Sequence, residues 1–536
     1  MKTRKSLCLF VMALAVFALL TTGGCGSSSS SSNSFVDTPT SGDVTPNIPT
    51  TSGDNTPAAP VAPPTSGDNM PTPMPTPPTS GDTRPDMPTP PTISPDYQPT
   101  PPTDPTNPTT PVTSPDTQPV APTPVTSPDT TPTTDDTTSD DTSGTTTDDD
   151  SGGTTTTGET YSTTSEGNAL TADGQTVTYS NITVTKTGDA SGSSDGQGGF
   201  DWTGTNAAVL AKNGAKLTIS GSSTRITSNA KGGNAVFSYG GSNSNNSNNS
   251  GDGTTVTISD ATITTTGSNS GGIMTTGGGV MNASNLTITT SGGSSAAIRS
   301  DSGGGTVTVT GGTYTTNGTG SPAIYSTAAI SVYGADLVST NSQGVVIEGG
   351  NSVTLDTVNI NANHATLNGK DTMHQAVMIY QSMSGDASGG SSSFSMTDGS
   401  ITNAIGDIFH VTNVTTTIAL SGVSITNNDS DGAFLRASSD AWGSSGSNGG
   451  KVTLNASGQD INGDIVVDSV STLTMNLKDS SNFTGAVNSA NAGTVTMTIE
   501  SGSTWTLTGN SYVTSLTNNG TINKGSYTLY VDGSAQ

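Results

Sequence analysis

At 536 residues the chain has room for several domains, yet only 29% of it is hydrophobic and 4% aromatic. Its 42 acidic residues outnumber 15 Lys and Arg, giving a formal net charge of −27. That balance lacks the clustered cations that nucleic acid demands, so no nucleic acid is expected as a partner; it fits a soluble, self-repelling surface.

Lys2, Arg4 and Lys5 precede an apolar run, Leu7 to Leu20, which is short for a permanent membrane span. Small residues Thr21 to Gly24 then lead to Cys25. This junction resembles the bacterial lipoprotein signal, in which the cysteine receives a diacylglyceryl group and becomes the mature N-terminus. Thr22 stands where that signal usually has Leu, which leaves ordinary secretory cleavage as the alternative. The resemblance implies a signal over 1–25, lipidation at Cys25 and a membrane partner through the acyl chains, whose burial contributes ~0.8 kcal/mol per methylene. Export is expected either way, and lipidation of Cys25 would anchor the protein at the cell surface. Cys8, the only other cysteine, falls inside the signal, so no disulfide and no cysteine-based metal site is expected in the folded part.

Residues 26–158 read as a disordered Pro/Thr/Ser/Asp-rich tether. Of 30 prolines only Pro322 lies beyond Pro132, and near-repeats such as "PPTSGD" and "VTSPDT" recur. Too few apolar residues are present to offset the entropy of ordering such a chain. Proline instead biases it toward an extended conformation of about 3 Å per residue, and the composition also suits an O-glycosylated stalk. The acidic run 133–153 invites loose calcium binding, a solvated spacer being the plainer reading; no other cofactor is expected.

Over 159–536 the pattern changes to short alternating segments, which signal strands. Aligned one beneath another, they share the anchors Val184, Ile226, Ile263, Ile288, Tyr314, Leu337, Ile360, Ile401, Ile425, Ile461, Phe483 and Trp505. The basic period is about 22–26 residues, stretched four times by insertions. A second strand usually precedes the anchor, as in "KLTIS" (216–220), "TVTIS" (255–259) and "SVTLD" (352–356). A short-strand repeat of this length predicts an all-β solenoid, a right-handed parallel β-helix with two or three strands per coil. About a dozen coils spaced at ~4.8 Å would make a rod some 60 Å long. An array of β-sandwiches would need a beat near a hundred residues instead.

The phrases "SPAIYST" (321–327), "VMIYQSMSGDA" (377–387) and "WGSSGSNGG" (442–450) resemble those of bacterial surface proteins with pectate-lyase-like β-helices, often described as adhesin-like. The resemblance spans roughly 160–535. It implies a β-helix at the cell surface and bears on fold and location more than on function.

Catalysis on such a fold would require converging carboxylates for hydrolysis, or an Arg or Lys base with calcium for elimination. Cations are sparse after residue 160, Arg299, Lys370 and Arg436 among them, and no paired-Asp motif or calcium nonapeptide stands out. The richest chemistry lies in two insertions. The first, His364 to Ser392, carries Tyr380, Gln381 and Asp386; the second, Asp429 to Gly450, carries Arg436, Asp440 and Trp442. They follow anchors two coils apart, roughly 10 Å, so loops leaving one side would form a concavity where aromatic faces stack on sugar rings and polar groups bond hydroxyls. The alternative is that Tyr380 and Trp442 only pack their own loops, and His364, His374 and His410 read as structural. Thr-x-Thr repeats suggest ice binding, but insertions are expected to interrupt a flat array. The sequence therefore points to a surface-anchored, non-catalytic protein for adhesion or polysaccharide contact, its partner a polysaccharide or a glycan of a neighbouring cell. A polysaccharide lyase or hydrolase on the same fold, or a structural matrix component, are the alternatives.

Overall fold

The computed structural model describes residues 153–536 apart from Gln197, 242–250 and Met383. The signal, Cys25 and the tether up to residue 152 lie outside the described residues. The described part is a parallel β-helix built of three strands per coil. One coil shows the logic. Thr255–Ser259 and Thr262–Thr265 belong to a broad 22-stranded sheet, and Ile273–Thr276 to a narrow 11-stranded one. Each strand pairs in parallel with its counterpart one coil on, matching Val256 with Met281, Ile263 with Ile288 and Ile273 with Ile298.

The anchors form a ladder inside the rod. Val184, Ile226, Ile263, Ile288, Tyr314, Leu337, Ile360, Ile401 and Ile425 are successive register partners. All but Ile425, which is partly buried, lie fully inside the core. A further ladder runs Ile461, Phe483, Trp505, Ile522 in a separate 4-stranded sheet. Period-two alternation places every second residue on the inner face, so Val, Ile and Leu interdigitate between coils while Thr and Ser face out. The two broad-sheet strands of a coil meet at a tight corner, where Asp260 and Asn285 adopt φ of 55° and 52°. Short polar side chains tolerate that left-handed conformation.

Two features differ from the sequence reading. The first described strand, Thr154–Thr157, pairs with Thr176–Ser180, so the β-helix begins inside the stretch assigned to the tether. Four threonines carry β-propensity but no apolar alternation to reveal it. The narrow sheet was also hidden. Its strands Val345–Glu348, Gln375–Tyr380 and Asp407–Thr412 are buried along their whole length. A strand covered on both faces reads as a continuous run without alternation.

What covers the narrow sheet's outer face is the insertions. Near the start of the rod, residues 187–208 include a one-turn helix, Phe200–Thr203. There Leu210, Phe237 and Met274, which succeed one another on the outer face, pack with Ala207. Further along, Tyr325, Val346 and Met378 continue the same outer rank and pack with Tyr380 and Trp442. The broad sheet's outer face, by contrast, carries uninterrupted ranks of Thr185, Thr227, Thr264, Thr289 and Thr315. The insertions leave from elsewhere in the coil and do not break this array. Among the described residues no helix is long and apolar enough to cross a membrane.

Candidate functional site

Between the two covered regions a cleft of about 270 Å³ opens over the narrow sheet. Arg299, Tyr325, Val346, Met378 and Tyr380, all on narrow-sheet strands, belong to its lining. Ser194 and Asp195 contribute from the segment 187–208, Lys370 and Asp371 from the loop before Tyr380, Asp386 from the loop after it, and Trp442 from the insertion 429–450. The cleft therefore draws on a third insertion, 187–208, beyond the two singled out by sequence.

The expected convergence of those two is present. The Tyr380 and Trp442 rings lie 4.8 Å apart between centroids, tilted by 56°. Thr372 donates its hydroxyl to Asp440 Oδ1 at 2.6 Å. Tyr380, however, closes a strand instead of hanging in a loop, and is only 7% exposed. Trp442 is half-buried against it.

Tyr380, Asp386 and Trp442 line the cleft; Gln381, Arg436 and Asp440 do not. Gln381 knits its own loop, donating to the carbonyls of Ser382 and Ala387, and lines a separate depression with Asn413 and Lys451. Arg436 sits on the strand Leu435–Ala437 and forks onto Asp407, with Nε donating at 2.6 Å and Nη2 at 3.3 Å. Asp440, its side chain 3% exposed, lies 3.9 Å from His410 and braces the loop through Thr372. Burial pushes the His410 imidazole below its ordinary value, with Asp440 and Asp407 opposing. His364 stands 3.4 Å from Asp371, and its carbonyl lies 2.5 Å from His374 Nδ1. None of the three histidines lines the cleft, and His364 and His410 are fully buried.

Beneath the cleft lie two polar clusters that the sequence did not reveal. In one, Arg299 Nη2 donates to Asp301 Oδ2 at 2.8 Å and Asp201 Oδ2 at 3.1 Å, with Arg299 8% exposed. Asn234 and Asn269 complete the bonding of Asp201. Burial opposes the guanidinium charge, but the two aspartates outweigh it and hold Arg299 protonated. Two carboxylates share one cation, so one of them is left short of charge compensation. Asp301 is that one: burial, with Asp386 and Asp201 nearby, overcomes Arg299 and pushes it up to about 8. In the other cluster the buried Glu348 accepts from the hydroxyls of Tyr325, Tyr380, Ser382 and Ser384. Burial and the Glu348 charge raise both tyrosines well above their ordinary value, keeping them donors.

These residues come from positions as far apart as Asp201 and Arg299, so no local motif marks them. The one available signal was "IRSD" (298–301): alternation on a strand places Arg299 and Asp301 on the same face. Among the described residues no group of three or more His, Cys, Asp or Glu is placed to hold a metal ion. No protein-family model, curated protein or solved structure matches the chain.

Proposed function

We propose that the protein is exported, anchored at the cell surface through Cys25, and binds polysaccharide in the cleft over the narrow sheet, acting in adhesion or surface contact. The observation that carries this reading is the cleft itself. Converging insertions stand a half-buried indole beside a tyrosine and flank it with carboxylate and amide groups. Sugar rings present CH faces to an aromatic plane and hydroxyls to such polar neighbours, which is the composition of small-ligand sites in general. Arg299, one of the two cations in the lining, is already held by Asp201 and Asp301 and is not free to act as the base of an elimination.

Glycan-array screening followed by titration of the best ligand tests the reading. A buried aromatic contact typically contributes on the order of 1–2 kcal/mol, so Trp442→Ala is expected to weaken binding about ten-fold. The rod should remain folded, because Trp442 lies outside the main core. Unchanged affinity in a folded variant would remove the aromatic wall from the account of binding, and release of reducing or unsaturated sugar would instead favour an enzyme.

The anchor is tested separately. The native protein should partition with membranes and require detergent, whereas Cys25→Ser should appear in a soluble fraction. Equal partitioning of the two forms would show that the cysteine carries no lipid.

A further inference from the structure

Resting on the glycan reading above, we infer that the cleft selects saccharides bearing a free amine, that is, deacetylated amino sugars, and rejects uronic acids. The inference comes from how the charges around the cleft are already committed. Of the two cations in its lining, Arg299 is held by Asp201, Asp301 and the Ser294 carbonyl, so it has no free edge to fork onto a ligand carboxylate. The other, Lys370, rests with Nζ 5.3 Å above the Trp442 ring.

Lys370 has no ion-pair partner among the described residues, but the carboxylates of the lining outnumber it. Asp195 and Asp386 both line the cleft, and neither has an ion-pair partner among the described residues. Asp386 is half-buried. Its burial, with the charges of Glu348 and Asp195, makes its ionised form costly. Asp371 is bonded by Gln343 at 3.0 Å and adds a further negative charge to the lining. A uronate entering here would bring another anion beside these carboxylates. An ammonium group would instead offset the repulsion between Asp195 and Asp386 and gain charge-assisted hydrogen bonds. The aromatic wall holds the ring in either case, so the amine adds selectivity to a contact that neutral sugars also make.

The test is titration of the full chain with glucosamine oligomers, N-acetylglucosamine oligomers of equal length, and galacturonate oligomers. The free-amine oligomer should bind at least ten-fold tighter than its acetylated counterpart, and the difference should shrink as salt is raised. Asp386→Asn should abolish most of the preference, weakening the free-amine oligomer far more than the acetylated one; unchanged circular dichroism and melting would establish that the variant folds. Galacturonate should bind weakest. Equal affinity for amine and acetylated oligomers, galacturonate binding as tight as either, or a preference retained in Asp386→Asn would overturn the inference. If acetylated oligomers bind in a Trp442-dependent way without any amine preference, the inference fails and the glycan reading stands. If no saccharide binds, both fall.

Discussion

Trp505→Ala is expected to cost about 3–5 kcal/mol, the usual range for emptying a buried tryptophan site, and to unravel the last coils first. The indole is 0% exposed, stacked on Phe483 at 6.0 Å and 19°, and followed in the ladder by Ile522. Its Nε1 donates to the Gly485 carbonyl at 3.0 Å. Alanine therefore removes two stacking faces and leaves a buried acceptor unpaired, which carries its own desolvation cost. A solenoid couples mainly nearest neighbours, so the damage should stay local. Hydrogen exchange should show lost protection from about residue 480 onward, with the coils around Ile288 and Tyr314 unaffected. Uniform loss along the rod would mean that the whole β-helix is one cooperative unit.

The second large effect is expected at Arg299. Replacing it with Met keeps the volume approximately but strips the cation from Asp201 and Asp301, which are 0% and 4% exposed. Removing one partner of a buried ionic cluster typically costs ~3–5 kcal/mol, because the remaining charge stays desolvated. The pH dependence separates this cause from lost packing. In the native protein Asp301 already sits above the ordinary carboxyl value, at about 8. A raised folded-state value means that the native state binds more protons than the unfolded one, so this contribution to stability is present below about pH 4 and lost as pH rises through 8. Without Arg299 the Asp301 carboxyl should be raised further. The Arg299→Met deficit, measured by denaturant unfolding, should therefore be small near pH 4 and large at pH 8. Equal deficits at both values would assign the role of Arg299 to packing alone.

How much of this was legible in sequence depended on whether the signal was local. The anchor ladder from Val184 to Ile425 emerged intact because alternation along a strand and repetition between coils are both visible in one dimension. The narrow sheet did not, since "VVIE" and "QAVMIY" are buried on both faces and alternate in nothing. The same covering explains the site. Tyr380 and Trp442 were recognisable because aromatics are scarce in this chain, and their insertions meet as coil spacing implied. Arg436 and Asp440 belonged to the same insertion yet spend their polarity on Asp407 and Thr372. Which polar residue faces a ligand and which braces a loop depends on partners brought together from other coils. Arg299 meeting Asp201 across 98 residues is the clearest case.

The most direct test of the cleft as a polysaccharide site is the structure of the β-helix with its tightest-binding oligosaccharide. A sugar ring is expected against the Trp442 face, between the loops carrying Lys370 and Asp386, with its polar groups directed to Asp386 and Asp195. An oligosaccharide seated instead on the threonine ranks of the broad sheet, with the cleft unoccupied at saturating ligand, would contradict it.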